Sequence, residues 1–409
     1  MRKLYGNARF LQGLLIVWLV LLYLPGLQVG EIPTANGAIP ISWCYLFSVA
    51  FLPVLVFQFP RLRIPPWYVT ALYLFVLAWA AVQAPVFGLS KGVLHWLFGA
   101  YLLLVLVNLG QTLSEDQLAN VLQTGILAFM ACHLVYTLVN WQTVYGVVFQ
   151  DQMASTLGSL TRGGRNLDAT WLGLGCFLIR KPKWRIGCLL YSLAFAVIGV
   201  SRVGLIASGL CLLWILVYDP QFGFRKKTAL FWCGLAAAGL VAALATGMAQ
   251  RMYDRVFLGY GEGAVSFLSG RETMWRNVAP MLQAHPFGVG VGNAIPVMRA
   301  EFGFNSYEDV MHNVFFQWLL DEGVIGGLWF LALAVLLFVS QKNRAIGWFR
   351  QPTAAFLLGY LVLSTVQFHG GEALMIFTLG CFLLSRGQWI ALRAPRGEAA
   401  QSKEAAGIK

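Results

Sequence analysis

The sequence predicts an all-α integral membrane protein that crosses the bilayer about twelve times. Of its 409 residues, 58% are hydrophobic and only 11% are charged, whereas about 25% of residues are charged in soluble domains. The hydrophobic residues fall in long runs, and a bilayer-spanning helix needs about 20 of them. Basic residues gather in alternate loops between the runs. The chain has too few polar residues to form the surface of a soluble protein, so lipid must cover most of it.

The apolar runs define the predicted spans. A charged start precedes the first run, as in a signal peptide, but this run is long and no small-x-small cleavage site follows it. We therefore interpret it as an uncleaved span. The sixth run is short, which predicts a broken or tilted helix, and the tenth begins with an amphipathic piece. The spans are 11–29, 39–59, 66–85, 92–110, 117–141, 168–179, 184–200, 203–218, 228–248, 314–340, 354–368 and 373–392.

The charge distribution predicts the orientation. With the N-terminus in the cytoplasm, 20 of the 29 Lys and Arg residues lie on the inner side, as the positive-inside rule requires. Both termini are then cytoplasmic. The basic residues behind the net charge of +12 thus set the topology and can contact anionic membrane lipids. We expect no nucleic-acid partner.

This orientation divides the chain into four parts. Spans 1 to 9 occupy residues 1–248, and a long outer loop with part of the candidate site occupies 249–312. Spans 10 to 12 occupy 313–392, and residues 393–409 form a polar cytoplasmic tail. A loop as long as the second part is uncommon and is usually functional. We expect it to be partly helical.

Several chemistries lack sequence support. All seven cysteines lie in apolar runs, which argues against disulfides and zinc sites. The chain has no G-x-S-x-G and no H-E-x-x-H motif. The outer loops hold no D-x-D-type pair of carboxylates. We therefore expect neither a metal ion nor another cofactor.

Some basic residues lie on the outer side, against the general trend. Arg202 follows Ser201 in a hairpin between two apolar runs, and Lys91 opens the fourth span. A cation at either place is costly unless it snorkels or meets an anion, such as a lipid phosphate. Arg162 and Arg165 flank two glycines and could both reach a phosphate. A solvated loop is the alternative for this pair.

Arg271 lies where a helix is predicted to begin. Ser269 and Glu272 form a capping box, and Trp275 lies on the apolar face of the helix that follows. A cation in the first turn opposes the helix dipole. It is favourable if an anion binds the free N–H groups there. Arg276, by contrast, forms an ordinary i, i−4 pair with Glu272.

His312 ends the long outer loop, directly before the tenth apolar run. Histidine titrates near neutrality and is the commonest general base. His312 is therefore the candidate catalytic base. The alternative is that it caps the tenth helix or bonds a loop carbonyl. His95 and His133 lie within spans, where a core histidine with one partner is the expected role.

Four stretches resemble a known family when taken in order. They are Gly270–Trp275 (G-R-x-x-x-W), His285–Asn293 (h-P-x-G-x-G-x-G-N), His312–Asn313 (H-N) and Gln317–Gly326 (containing E-G-x-x-G). This ordered set is similar to the shared core of the O-antigen ligase and polymerase superfamily. The Ser201–Arg202 pair also resembles the superfamily's S-R pair before the long loop.

The resemblance implies a GT-C-like fold and a metal-independent transfer of glycan from undecaprenyl pyrophosphate. The reaction is expected on the periplasmic face of the bacterial inner membrane. We favour the O-antigen ligases, whose acceptor is lipid A-core, because the length fits and no large periplasmic extension follows. An O-antigen or exopolysaccharide polymerase is the alternative. A transporter of anionic lipid-linked glycans is a second one, although its ionisable residues would line both sides of a path.

The resemblance also suggests roles for individual residues. Transfer with a single base implies inversion at the anomeric carbon, and cations would stabilise the leaving pyrophosphate. Glu322 is expected to orient Asn313 or backbone rather than to react. The catalytic base is His312; the pyrophosphate ligands are Arg202, Arg271, Lys91 and Arg165; the supporting residues are Asn313, Glu322 and Trp275.

Overall fold

The computed structural model describes most of the chain. All structural statements concern residues 5–24, 27–34, 37–88, 90–150, 152, 156–161, 164–219, 221–254, 271–304, 310–339, 351–368, 372–387 and 390–391. Helices dominate these residues, and the sheets are two short pairs of strands. The predicted all-α membrane class is confirmed.

The first half of the chain forms the following elements. They are α1 (Ala8–Tyr23), β1 (Gln28–Thr34), β2 (Gly37–Ser42), α2 (Trp43–Arg61), β3 (Arg63–Ile64), α3 (Trp67–Phe87), α4 (Lys91–Leu109), α5 (Glu115–Val139), α6 (Trp141–Phe149), α7 (Gly164–Gly175), α8 (Pro182–Ile198) and α9 (Arg202–Tyr218).

The second half continues with shorter pieces between two groups of long helices. They are α10 (Lys226–Ala245), α11 (Met248–Tyr253), α12 (Arg271–Arg276), α13 (Val278–Ala284), α14 (Ala294–Phe302), α15 (Val314–Asp321), α16 (Gly323–Val339), α17 (Pro352–Leu363), α18 (Ala373–Ser385) and β4 (Ile390–Ala391).

Five of the described helices are long and apolar enough to cross a membrane by themselves: α2, α3, α4, α5 and α10. Four shorter apolar helices, of 10 to 17 residues, join them: α1, α9, α17 and α18. These helices fit a polytopic membrane protein, while the count of twelve spans stays a prediction.

One part of the sequence-based assignment is wrong. Residues 37–42 form strand β2, which pairs antiparallel with β1 so that Ile32 lies opposite Ile39. The first helix therefore ends at Tyr23, and the second begins at Trp43 rather than at residue 39. The missed signal is the Asn36–Gly37 dipeptide, a strong marker of a hairpin turn.

The predicted tenth span is two helices, as its amphipathic start suggested. Helix α15 ends at Asp321, and α16 begins at Gly323. Gly323 has a φ of +71°, and a Cβ built there would lie 2.5 Å from the carbonyl carbon of Phe287. Only glycine fits this left-handed, crowded position. The break follows from the close approach of the loop around Phe287.

Helices α7 and α9 pack side by side and run in the same direction. The Cβ position of Gly204 lies 2.4 Å from the Ala169 side chain, and that of Gly173 lies 2.8 Å from the Ala207 side chain. Small residues allow such close contact between membrane helices. Because the helices are in register, Arg165 and Arg202 lie at the same end of the bundle.

Candidate functional site

The Pro-Gly loop, residues 286–293, lies against the junction between α15 and α16. Gly288, Gly290 and Gly292 all have positive φ, between 77° and 85°. A Cβ on Gly288 would lie 2.4 Å from the carbonyl oxygen of Asp321, and Gly290 N donates to that same oxygen at 2.8 Å. The glycines of this motif therefore serve a tight backbone-to-backbone contact.

The Asp321 side chain anchors the other end of this loop. Its carboxylate accepts from Gly292 N at 2.9 Å, from Ala294 N at 3.2 Å and from Gln317 Nε2 at 2.8 Å. Asp321 is 6% exposed. Because the carboxylate binds the first amide of α14, it fixes the entire Pro-Gly loop to α15. Sequence analysis missed this residue, although it stands beside Glu322 in the motif.

Helices α3 and α4 hold the Pro-Gly loop from the opposite side. Trp79 Nε1 and Gln83 Nε2 donate to the carbonyl of Phe287 at 2.9 and 3.1 Å. Ser90 Oγ donates to the carbonyl of Val291. Helix α4 begins at Lys91, so the backbone of Lys91 lies beside the Pro-Gly loop. The Lys91 side chain is outside the described part of the protein.

Residues 364–367, the carbonyl turn, follow the C-terminus of α17. Val314 N donates to the carbonyl of Ser364 at 2.8 Å, and Asn313 Nδ2 donates to that of Thr365 at 3.0 Å. Arg271 and His312 contact the next two carbonyls. Carbonyls past the end of a helix lack intrahelical donors. Here Val314 and three motif residues supply donors to the four carbonyls of the turn.

Arg271 binds the carbonyl turn with two nitrogens. Nη1 donates to the carbonyl of Val366, and Nη2 donates to the Gln367 side-chain oxygen at 3.3 Å. A guanidinium carries five N–H donors in a planar fork. Two bonds to the turn fix its position without exhausting this capacity. The capping box expected here includes Ser269 and the Glu272 side chain, which lie outside the described parts.

His312 contacts the same turn. Its Nδ1 lies 3.3 Å from the carbonyl oxygen of Gln367. A carbonyl can only accept, so Nδ1 carries the proton in the neutral ring and Nε2 carries the lone pair. His312 has a φ of +52°. This left-handed conformation is uncommon for a non-glycine residue, and such residues cluster at functional sites.

The residues next to His312 are held on both sides. Trp275 Nε1 donates to the carbonyl of Met311 at 3.0 Å, and Met311 N donates to Gln317 Oε1 at 3.0 Å. Asn313 caps α15, accepting from Phe316 N at 3.0 Å. Trp275 and Asn313 thus fix the backbone that carries the imidazole.

Glu322 makes no hydrogen bond to Asn313 in the described part of the protein. Its side chain is 3% exposed, and Oε2 has no hydrogen-bond partner within the described residues. Asn313 is oriented instead by the Thr365 carbonyl and the Phe316 amide. The sequence alone could not reveal this, because Thr365 lies 52 residues further along the chain.

Arg165 and Arg202 form a second group of cations. Arg165 Nε donates to the carbonyl of Gly199 at 2.7 Å, two residues before Ser201. The Ser201 hydroxyl caps α9 by accepting from Gly204 N, which places Arg202 in the first turn of that helix. Both predicted ligands are therefore adjacent. Arg162, predicted to share their loop, lies outside the described residues.

A buried carboxylate sets the chain just before Arg165. Asp168 is fully buried, and it accepts from Ser159 Oγ at 2.9 Å, Leu160 N at 2.8 Å and Thr161 N at 3.1 Å. His133, expected as a core histidine with one partner, lies 3.4 Å from this carboxylate and 2.7 Å from Tyr191 OH. Asp168 thus holds the turn at residues 159–161 against the second turn of α7.

The structure brings the two groups to one end of the bundle. Trp171 lies in the second turn after Arg165. The centroid of its ring is 4.8 Å from that of the Phe368 ring. Phe368 directly follows Gln367, which binds Arg271 and His312. We call this end the motif end. Within the described residues, no group of three or more His, Cys, Asp or Glu side chains could hold a metal ion.

Fold and site together define a polytopic membrane protein with cations and one histidine gathered at one end of its helices. The family model of O-antigen ligase (Wzy_C) matches residues 187–331, which is consistent with the O-antigen ligase and polymerase superfamily that the motifs resemble. The match includes Arg202, Arg271 and His312, but neither Lys91 nor the carbonyl turn. A search of curated proteins finds no match.

Proposed function

We propose that the protein transfers O-antigen polysaccharide from undecaprenyl pyrophosphate to lipid A-core oligosaccharide. The reaction takes place at the periplasmic face of the bacterial inner membrane, without a metal ion and with inversion. One observation carries this proposal. In the stretch that matches the O-antigen ligase model, Arg271 is held by Val366 and Gln367, and His312 is held by Gln367. A cation and a base are thereby fixed side by side.

His312 acts as the general base in this proposal. The hydrogen bond from Nδ1 to Gln367 leaves the lone pair on Nε2. Nε2 takes the proton from an acceptor sugar hydroxyl as its oxygen attacks the anomeric carbon of the donor. The bond from that carbon to the pyrophosphate oxygen breaks, and its electron pair leaves with undecaprenyl pyrophosphate. A single displacement of this kind inverts the anomeric carbon.

The cations at the motif end stabilise the leaving group. Charge grows on the pyrophosphate as the glycosidic bond breaks, and fixed cations lower the energy of that state. Guanidinium groups bind phosphate oxygens in pairs. Bonds to the carbonyls of Val366 and Gly199 hold Arg271 and Arg165, and Arg202 opens α9 directly after its Ser201 cap. We assign them, together with Lys91, to the pyrophosphate.

An apolar cleft between α6, α8 and α10 suits the lipid chain of the donor. Its volume is about 570 Å³, and Val144, Leu193 and Gly239 are among its lining residues. Only 6% of the apolar window in α10 is buried within the protein, compared with 22–44% for the other four long helices. Ile198 also lines the cleft, four residues before Arg202. A polyprenyl chain there would place its pyrophosphate near Arg202 and Arg165.

The product of the reaction tests the proposal. Purified protein in proteoliposomes receives undecaprenyl-pyrophosphate glycan, either with lipid A-core or with donor alone. We expect glycosylated lipid A-core in the first mixture. In the second mixture we expect that the glycan is not extended. Longer glycan with donor alone would mean a polymerase of the same superfamily. Donor that crosses the membrane without a new glycosidic bond would mean a transporter.

A further inference from the structure

A cavity of about 210 Å³ lies at the motif end, apart from the residues assigned above. It is enclosed by the end of α1, the start of α2, the first turns of α4, the turn before α7 and the start of α18. Its lining includes four aromatic rings and several polar groups. The residues that matter here are Tyr23, Tyr45, His95, Thr161, Trp171 and Glu372.

One buried hydroxyl in this cavity has no hydrogen-bond partner among the described residues. Tyr23 is 2% exposed, and its OH makes no hydrogen bond within the described residues. The ring itself is well packed, stacked on Phe129 at 4.1 Å. A buried polar atom left unpaired costs about 1–3 kcal/mol, and each case in a native protein needs an explanation. A ligand that hydrogen-bonds to this hydroxyl supplies one.

The lining has the chemistry of a sugar site. Aromatic rings such as Trp171 and Tyr45 have flat apolar faces. The Tyr23 hydroxyl can form a hydrogen bond, and the Glu372 carboxylate, which accepts from Tyr360 OH, has the capacity to accept more than one. Thr161, whose amide binds Asp168, contributes a further wall. The described lining contains no Lys or Arg. A carboxylate repels phosphate and accepts hydrogen bonds from hydroxyl groups, so the cavity favours a neutral polyol over an anion.

The position of the cavity agrees with this chemistry. His95 lies one helical turn after Lys91, and Glu372 lies five residues after Gln367. Trp171 packs against Phe368, next to the carbonyl turn. We infer that this cavity binds a pyranose ring of one of the two glycan substrates, with Tyr23 OH as a hydrogen-bonding group. This inference rests on the proposed function, since glycan substrates are part of it.

Tyr23→Phe removes only the hydroxyl and keeps the stacked ring. Because the oxygen has no hydrogen-bond partner in the described part of the protein, the melting temperature should not fall. Tyr101→Phe is the matched control: its hydroxyl donates to the carbonyl of Ser48 at 2.8 Å and does not line the cavity. The donor arm measures equilibrium binding of undecaprenyl-pyrophosphate glycan and of undecaprenyl pyrophosphate alone. The acceptor arm measures KM for lipid A-core.

If the donor sugar binds here, Tyr23→Phe weakens binding of the glycan-bearing donor roughly tenfold, the value of one hydrogen bond, and leaves undecaprenyl pyrophosphate unaffected. If the acceptor sugar binds here, KM for lipid A-core rises by a similar factor instead. Changes below twofold in both arms would overturn the inference. Wild-type protein that binds glycan but transfers none would contradict the proposed function, and the donor arm would still report on the cavity.

Discussion

Replacing Arg271 with alanine tests whether the contact with the carbonyl turn matters for catalysis. The change removes the guanidinium that the Val366 carbonyl and the Gln367 side-chain oxygen hold in place, and with it one proposed contact to the pyrophosphate. A hydrogen bond to a charged group is worth about 1.5–3 kcal/mol. Because 1.4 kcal/mol is about tenfold, kcat/KM should fall ten- to hundredfold. Arg271→Lys should recover little of this, since an ammonium cannot reproduce the planar fork.

The assay is the rate of glycan transfer to lipid A-core in proteoliposomes. Arg276→Ala is the matched control, because Arg276 lies on the same helix and is exposed; its rate should stay within twofold of wild type. Gln367→Ala should cost less than Arg271→Ala. The double variant should be less impaired than the product of the two single effects. The reason is that both changes remove the same contact, the one between Arg271 and Gln367. Equal losses for Arg271→Ala and Arg276→Ala would refute a specific site and indicate a diffuse basic surface.

Three further outcomes are expected. Gly239→Trp should raise KM for the full-length polyprenyl donor, because nothing lies within 4 Å of its Cβ position and the ring would fill the apolar cleft. Gly234→Trp, equally open but outside the cleft lining, should have no such effect, and equal KM values would argue against the cleft. Transfer should survive excess EDTA; loss that magnesium or manganese restores would contradict the arginine assignment. A reporter fused after Lys409 should be cytoplasmic and one inserted near Gly261 periplasmic; a periplasmic C-terminus would exclude twelve spans.

The helices could be predicted because their signal is local. Long apolar runs with charged ends mark membrane helices whatever else the chain does. Local signals also marked the break before Gly323, through the amphipathic start of that run. The β1–β2 hairpin was missed because the apolar residues of β2 were assigned to the adjacent span, although Asn36–Gly37 marks a turn.

The candidate site was only partly predictable. Arg271, His312 and Asn313 stood out because their residue types and positions pointed to chemistry. Their partners did not, because they come from distant parts of the chain. Gln83 meets the Pro-Gly loop across 204 residues, and Gln367 meets Arg271 across 96. Nothing in the local sequence around Gln367 distinguishes it from an ordinary residue after a helix.

The physical origin of the motif became visible only in the structure. The glycines at 288, 290 and 292 permit a tight crossing of the chain beside Asp321. Their role is to bring the end of α15 and the start of α4 together. Such a crossing explains the glycines without requiring any of them to touch a substrate. The motif thus combines residues that build the site with residues proposed to act in it.

His312→Gln tests whether His312 is the general base. Glutamine can donate a hydrogen bond to the Gln367 carbonyl, as Nδ1 does, but it cannot accept a proton at neutral pH. We expect a turnover number lower by about 10²–10⁴, the usual contribution of a positioned base. Donor binding and melting temperature should stay near those of wild type. A folded His312→Gln protein with nearly full turnover would contradict the account and leave the reaction without its base.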